Sequence, residues 1–437
     1  KGGFIGVDIF FVISGYLITQ ILISDTNSVH WIRKFYVRRI RRIFPALILV
    51  LIATSIAAGM LLAPYEFKIF GQEIIGGSTF SSNIVYLQRS GYFDQNSNYK
   101  TLLHLWSLGI EEQFYIFWPI LIWFISRFRL RPTLILGAVT LASFTYCQWT
   151  SITNPDLSFY SPVSRAWELG LGGLIANLKF RKSSKVHRNI GNLGALLLIV
   201  SFLVIDNQKN WPGLFTILPV LGTLAILADP SQVSLKNKIL SNKVLVYVGK
   251  ISFPLYLWHW PLYIFLTIYK PVLERYETFL LFVLSLSLAS LTYHLLEIPI
   301  RKNNSADAYF RRLSVAMILI LSSGAILTLS NGFPVRMDSQ TSLETSRQIT
   351  LNLSTSPEFQ DENCMNNYPN PRASEYLWWF CRSNSVEPPV ILLWGNSYAN
   401  HYFQGLAENS FFKKQSILSI GDCSIQREPE LENGNPC

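Results

Sequence analysis

Ten apolar stretches recur along the chain of 437 residues and constrain its fold more than any other feature. A helix needs about 20 mostly apolar residues to cross a bilayer, and every stretch but the short one at 166–178 is close to that length. Only 15% of the residues are charged, against about 25% in soluble domains, which fits lipid as the surrounding solvent. The ten predicted spans are 4–23, 43–63, 105–125, 133–149, 166–178, 190–205, 212–228, 244–266, 278–298 and 313–330.

An eleventh segment, 69–87, is less apolar, because it carries Gln72, Glu73 and several glycines and serines. Loop charge decides whether it crosses, since Lys and Arg in short loops stay on the cytoplasmic side. If it does not cross, twenty-one of these loop residues fall on one side and seven on the other. If it does cross, the bias collapses. We therefore predict ten spans with both ends outward, and residues 65–101 outside the membrane or re-entering it partway.

Several ionisable side chains fall at the predicted outer ends of spans, where charge is costly and usually functional. They are Asp8, Glu111, Glu112, Glu168 and His259, with His104 and Arg165 at the outer boundary. Residues three to four positions apart share a helix face, so His104, Ser107 and Glu111 can lie together. A structural polar network would explain any one of these residues. For the whole set we favour a functional cavity.

A basic cluster, Arg38-Arg39-Ile40-Arg41-Arg42, precedes the second predicted span on the cytoplasmic side. Such clusters commonly set topology or contact anionic lipid. Arginine also matches the geometry of phosphate, so a site for a phosphorylated donor is the alternative. The cluster alone favours the first interpretation.

The composition changes after residue 330. Residues 332–389 are rich in Asn, Ser, Pro and Glu and predict an extracytoplasmic linker region. A buried-strand pattern at 390–394, followed by a Gly-x-Ser turn at 395–397 and a helical pattern, predicts the start of an α/β domain.

Four of the five cysteines lie in this tail, and an even number outside the cytoplasm indicates disulfides. Pairing Cys364 with Cys381 and Cys423 with Cys437 is one of three possibilities. Cys147 lies in a predicted span and is expected only to pack there.

The ordered motifs of the membrane region resemble the acyltransferase-3 family of membrane acyltransferases. Four motifs carry the resemblance: GGFIGVDIFFVISGYL at 2–17, FYVRRIRRIFPA at 35–46, HLWSLGIEEQFY at 104–115 and ISFPLYLWHWP at 251–261. SRAWEL at 164–169 and EIPIR at 297–301 also match. Each motif is weakly specific, whereas the ordered set is highly specific.

The resemblance implies an O-acyltransferase that moves an acyl group to an envelope polysaccharide, such as lipopolysaccharide O-antigen or peptidoglycan. The implied donor is cytoplasmic acetyl-CoA, and no metal, bound cofactor or nucleic acid is expected. The implied substrate- or donor-binding residues are Arg38, Arg39, Arg42, Asp8, Arg165 and Glu168, of which the resemblance puts the first three on the donor side. The implied catalytic residues of the membrane region are His104, Glu111, Glu112 and His259. The family begins with one more span, carrying a histidine thought to act in catalysis, which would precede Lys1. We therefore expect this chain by itself to be inactive.

The tail resembles the SGNH-type esterase domain that is fused to many of these transferases. In that resemblance Ser397 is a nucleophile, which needs a base and oxyanion donors. The usual Gly-Asp-Ser appears here as Gly395-Asn396-Ser397, and the late Asp and His partners would lie beyond Cys437. His401 follows Ser397 closely and is interpreted as structural.

The predicted architecture is a polytopic α-helical membrane bundle followed by a truncated α/β, SGNH-hydrolase-like, extracytoplasmic domain. The membrane domain covers 1–331, the linker region 332–389 and the start of the SGNH-like domain 390–437. The predicted location is the bacterial inner membrane, with the C-terminal domain in the periplasm. The predicted partners are the acyl-CoA donor, the glycan acceptor and the lipid bilayer.

Two other classes of function stay open. Acids and histidines inside spans are equally typical of a proton-coupled transporter or flippase. Such a protein needs no serine-bearing tail, and many contain an internal repeat that we do not find in this sequence. A binding module that holds glycan without chemistry is the third possibility.

Overall fold

The computed structural model describes 2–25, 31–90, 100–177, 185–205, 211–229, 239–270, 273–303, 305–334, 362–368, 379–394, several residues of 402–412 and 415–422. The chain divides into two compact units, Lys1–Phe333 and Pro334–Cys437.

The described part of the first unit is helical, and a helix covers each of the ten predicted spans in whole or in large part. Its helices are α1 (Ile5–Asp25), α2 (Trp31–Leu61), α3 (Pro64–Ser78), α4 (Ser82–Arg89), α5 (Leu105–Arg127), α6 (Pro132–Thr153), α7 (Pro155–Tyr160), α8 (Pro162–Asn177), α9 (Lys185–Val204), α10 (Ile217–Ala228), α11 (Lys243–Tyr269), α12 (Arg275–Thr292), α13 (Ile298–Lys302) and α14 (Ala306–Leu329). A π-helix, Tyr293–Glu297, joins α12 to α13.

Six helices in the described part of the chain are long and apolar enough to cross a membrane. They are Ile5–Ser24, Trp31–Leu61, Leu105–Arg127, Lys243–Ile268, Arg275–Lys302 and Ala306–Leu329. Two shorter helices, Ile190–Val204 and Leu214–Ala228, are also apolar. The unit is therefore a helical bundle of the multi-pass membrane type, and the full number of ten spans stays a prediction.

Helix α2 contributes to the largest buried cluster of the unit. Its Leu47 and Leu51 pack there with Leu105 of α5 and Leu257 of α11. With 31 residues, α2 is about 46 Å long and exceeds the hydrocarbon thickness of a bilayer, which is about 30 Å. Its arginines lie in its first turns, and we call that end of the bundle the basic end.

Helices α3 and α4 form a hairpin that enters and leaves the bundle at the end opposite the basic end. Helix α3 begins beside the end of α14, where a Cβ on Gly332 would meet the Pro64 carbonyl, and then runs antiparallel to α14. Gly71 and Gly324 approach so closely that a Cβ on Gly71 would lie 2.9 Å from the Gly324 carbonyl oxygen. Helix α4 turns back along α3. The glycines of the segment allow this close packing of helices, and whether residues 65–101 lie outside the membrane or re-enter it partway stays a prediction.

Helices α1 and α8 cross at two glycines. A Cβ on Gly15 would lie 1.9 Å from the Leu169 carbonyl oxygen, and one on Gly172 would lie 2.0 Å from that of Val12. Small residues at a crossing let two backbones touch, which is how helices commonly associate in membranes. This crossing fixes α8 against α1.

The second unit contains α15 (Glu362–Asn367) and three strands, β1 (Trp379–Ser383), β2 (Ile391–Trp394) and β3 (Ile417–Asp422). The strand order is β1-β3-β2, with β2 parallel and β1 antiparallel to β3. A parallel pair needs a crossover connection, which is typical of an α/β domain. The predicted disulfide between Cys364 and Cys381 is present. Cys423, Cys437 and the turn with Ser397 lie outside the described residues.

Candidate active site

A cavity of about 320 Å³ opens at the basic end of the bundle. It is lined by Ile21, Phe35, Arg38, Arg39, Arg41, Arg42 and Arg301. Four of the five arginines come from α2, and the fifth comes from the last turn of α13. A concave site rich in guanidinium groups is suited to an anion, and most of all to a phosphate. We call it the arginine cavity.

Arg41 lines this cavity, but its guanidinium already holds α13 in place. It donates hydrogen bonds to the carbonyl oxygens of Ile300 at 2.6 Å, Arg301 at 3.0 Å and Asn303. The last carbonyls of a helix have no partner within the helix, and a cation there is favourable. Arg41 therefore fastens α13 to α2 and brings the Arg301 side chain to the cavity.

Glu111 lies beside the arginine cavity, on α5, and is 4% exposed. Its Oε1 accepts hydrogen bonds from the Ser14 hydroxyl at 2.5 Å and from the Tyr115 hydroxyl. The Arg39 guanidinium lies over the Tyr115 ring, 4.1 Å from its centre. Glu111 and Glu112 both attract Arg39 and Arg42. These carboxylates thus offset part of the charge that the arginines bring into the bundle.

His104, which directly precedes α5, and His259 of α11 face each other, with ring centres 5.8 Å apart. The His259 Nδ1 lies 2.7 Å from the Tyr256 carbonyl oxygen, which can only accept. The Tyr256 hydroxyl donates to the His104 carbonyl oxygen and pairs with the Ser107 hydroxyl at 2.7 Å. His104 is 6% exposed, and within the described residues neither of its ring nitrogens makes a hydrogen bond of normal geometry, although the Leu257 carbonyl is close.

The structure gives the level of the histidine pair along the bundle. A Cβ on Gly77 would contact the side chains of both Leu105 and Leu51, so the start of α5 is level with the middle of α2. Helix α2 continues ten residues beyond Leu51, or about 15 Å, to Leu61. The position of His104 at the outer boundary of the membrane stays a prediction, because this level is relative to α2 and not to the bilayer.

The comparison with known sequences decides the family. The sequence profile described as "Acyltransferase domain" matches residues 2–294, more than half of the chain. The chain belongs to the acyltransferase-3 family. The resemblance predicted from the motifs is thereby confirmed.

Among the curated relatives of this acyltransferase-3 chain is the O-acetyltransferase OatA of Staphylococcus aureus, strain MRSA252. The two are 32% identical over 365 residues, which cover 76% of this chain and 59% of the relative. The peptidoglycan O-acetyltransferase OatA of Listeria monocytogenes is 31% identical over 335 residues, covering 71% and 53%. The chain thus spans less than two thirds of the length of these relatives. No solved structure matches it.

Three of the predicted substrate- or donor-binding residues of this acyltransferase-3 chain, Asp8, Arg165 and Glu168, form a separate ion-pair cluster. Arg165 donates to the Asp8 carboxylate and, at 3.1 Å, to that of Glu168, and all three side chains are fully buried. Asp8 precedes Ile21, which lines the arginine cavity, by thirteen residues of α1, or about 20 Å. The structure therefore brings these three together with one another but not with Arg38, Arg39 and Arg42, and their role stays a prediction.

Two residues that sequence reasoning did not assign also lie at the site. Arg301 completes the arginine cavity, and Glu73 contacts the backbone next to His104. Arg301 belongs to the EIPIR motif, for which the sequence indicates no role. The sequence indicates of Glu73 only that its segment is less apolar than a span. Ser397, the predicted nucleophile of the tail, lies outside the described residues.

Proposed function

We propose that the chain is the membrane part of an O-acyltransferase, which takes acetyl from acetyl-CoA and passes it to a hydroxyl of an envelope glycan. One observation carries the proposal. The arginine cavity, Glu111 of α5 and the paired histidines follow one another from the basic end towards the middle of the bundle. The relatives named as O-acetyltransferases support the acetyl group, and the one named for peptidoglycan supports a glycan acceptor.

The arginine cavity receives the phosphates of the donor. Arg38, Arg39, Arg42 and Arg301 line it, while the Arg41 guanidinium is bound to the end of α13. Coenzyme A carries three phosphate groups, and guanidinium groups bind phosphate through paired, charge-assisted hydrogen bonds. The cavity of about 320 Å³ is large enough for a phosphate-bearing part of the donor, whose thioester arm then extends towards Glu111.

His259 acts as the general base in this proposal. Because its Nδ1 faces a carbonyl oxygen at 2.7 Å, Nδ1 carries the ring hydrogen and Nε2 keeps a free lone pair. That nitrogen takes the proton of the acceptor hydroxyl as the hydroxyl oxygen attacks the thioester carbon. The carbon–sulfur bond breaks, a carbon–oxygen ester bond forms, and the proton passes from the histidine to the thiolate of coenzyme A.

His104 faces the same space and orients the reacting groups. Its buried ring makes no hydrogen bond of normal geometry in the described part of the chain, although the Leu257 carbonyl lies close to it. Buried polar groups without a partner are costly, so a ligand that supplies one gains affinity. The thioester carbonyl oxygen fits this role, because a hydrogen bond from His104 would stabilise the negative charge that develops on it.

The proposed orientation places the basic end in the cytoplasm of a bacterium and the second unit in the periplasm. The charge bias of the loops supports it. The second unit is proposed to be the start of an SGNH-type domain in which Ser397 accepts the acetyl group or helps to dock the glycan. Transfer across the bilayer would spare the cell from exporting the donor.

The test uses the gene product that carries this chain, purified in lipid nanodiscs with acetyl-CoA labelled in the acetyl group. We expect label to appear in added peptidoglycan or O-antigen fragments, and the signal to be lost in Arg39→Ala and His259→Ala. The exposed Lys302→Ala is the matched control at the basic end. Transport of labelled donor without any ester product would overturn the proposal in favour of the transporter, and no activity of either kind would also overturn it.

A further inference from the structure

Three hydrogen bonds from other helices hold the segment 100–104, which leads into α5 and carries His104. Trp260 of α11 donates its indole N–H to the Lys100 carbonyl oxygen at 2.9 Å. The Leu102 N–H donates to the Glu73 carboxylate at 3.0 Å. The Tyr256 hydroxyl donates to the His104 carbonyl oxygen. Two of these bonds therefore involve α11, the helix that carries His259, and one involves α3 of the hairpin.

Glu73 occupies an unusual place for an acidic side chain. It is 2% exposed, and its Oε1 makes no hydrogen bond of normal geometry among the described residues. Burial raises the pKa of Glu73 to about 7, against the opposing effects of the Leu102 N–H and the Arg89 cation. Burying a carboxyl group costs free energy unless hydrogen bonds or opposite charges compensate for it. The buried position of Glu73 therefore calls for a structural or functional explanation.

The surroundings of Glu73 direct its carboxyl group at the segment that carries His104. The Tyr86 hydroxyl on α4 faces it, and Lys100 lies close by on the segment. Gly77, one turn farther along α3, lets the helix touch the start of α5, since a Cβ there would lie 2.8 Å from the Leu105 side chain. The hairpin thus meets the first residues of α5 at two points, one polar and one apolar.

We propose that Glu73 is a positioning residue, which fixes the place of His104 relative to His259 by accepting the hydrogen bond from the Leu102 N–H. The inference rests on the proposed function, because it concerns the geometry of the acyl-transfer site. Two catalytic groups on different helices must be held within fractions of an ångström, and a misplacement of about 1 Å costs up to about 100-fold in rate. The bond at Leu102 is the one of the three that α11 does not supply.

The test separates the reach of the Glu73 side chain from its charge. Glu73→Gln keeps the length and one acceptor oxygen but removes the charge. Glu73→Asp keeps the charge but shortens the side chain by one methylene, so the oxygen no longer reaches the Leu102 N–H. Glu66→Asp is the matched control, because Glu66 lies on the same helix and also accepts from a backbone N–H, that of Ala63 at 3.1 Å.

We expect Glu73→Asp to lower kcat about 10- to 100-fold with KM for acetyl-CoA changed less than about twofold, since the arginine cavity is distant. Glu73→Gln should keep at least about half of kcat, and Glu66→Asp should resemble the wild type. The opposite order, with Glu73→Gln inactive and Glu73→Asp active, would show that charge matters and would overturn the inference. Equal kcat for all variants at a temperature where all are folded would overturn it too.

A second measurement does not depend on activity. Hydrogen–deuterium exchange of residues 100–104 should become faster in Glu73→Asp and stay as in the wild type in Glu73→Gln. If the wild type transfers no acetyl group while this exchange pattern holds, the proposed function has failed and the structural role of Glu73 stands. If the wild type is active and exchange at 100–104 is the same in both variants, the positioning role has failed alone.

Discussion

Replacing arginines of the cavity one at a time should weaken donor binding in a graded order that the structure sets. A charge-assisted hydrogen bond is worth about 1.5–3 kcal/mol, so Arg39→Gln should cost about 2 kcal/mol, or about thirtyfold in Kd. The Arg301 side chain is 48% exposed, and its partner Glu297 is 4.0 Å away. Solvent screening reduces the contribution of Arg301 to about 1 kcal/mol, or about fivefold in Kd. Lys302→Gln removes the same charge at the neighbouring position, whose side chain does not line the cavity, and should change the Kd for coenzyme A little.

The assay is calorimetric titration of coenzyme A into each purified variant in nanodiscs, at one fixed salt concentration. Nanodiscs with and without phosphatidylglycerol separate the free donor from lipid headgroups as the natural anion, since binding to headgroups would appear as competition. Equal weakening by Arg301→Gln and Lys302→Gln would refute the reasoning, because it would mean that only the total charge matters. Wild-type affinity in Arg39→Gln would refute the assignment of the cavity itself.

Three further substitutions test the packing of each unit. Arg165→Leu leaves the carboxylates of the ion-pair cluster buried without a cation, so the free energy of unfolding should fall by about 3–5 kcal/mol, seen as a lower midpoint in thermal unfolding. Gly172→Ala forces α1 and α8 apart and should cost about 1–3 kcal/mol in the same assay, whereas Gly137→Ala, which has open space around it, should cost nothing. Cys381→Ser removes the disulfide between Cys364 and Cys381, which are 17 positions apart, and should lower the stability of the second unit by about 3 kcal/mol. The second unit should then become more sensitive to protease, and treatment of the wild type with reductant should have the same effect.

The helices of the bundle were predictable because hydropathy is a local property. Each apolar stretch near the length of a span is matched by a helix. That segment 69–87 does not cross the membrane rests on the charge bias of the loops, which inverting every later loop would destroy, and it stays a prediction. The paired Cys364 and Cys381 could be named only as one possibility, because spacing does not fix connectivity.

The arrangement of the site was less predictable, because it depends on which helices touch. Arg301 reaches the arginine cavity only because Arg41, far earlier in the chain, binds the end of α13. The resemblance groups Asp8, Arg165 and Glu168 with the substrate- or donor-binding residues, but α1 holds their cluster about 20 Å from the arginine cavity. The level of His104 along α2 follows from the contact between α3 and the start of α5, which a count of spans does not contain.

The contact between Gly71 and Gly324 has a consequence for how the protein is made. It joins α3 to α14, the last helix of the first unit, so the hairpin can complete this contact only after translation has passed residue 324. A nascent chain released earlier would carry His104 and His259 yet lack the contact between α3 and α14. Under the proposed function, we therefore expect products shortened within α14 to transfer less acetyl, because the helix that carries Glu73 would be held less firmly.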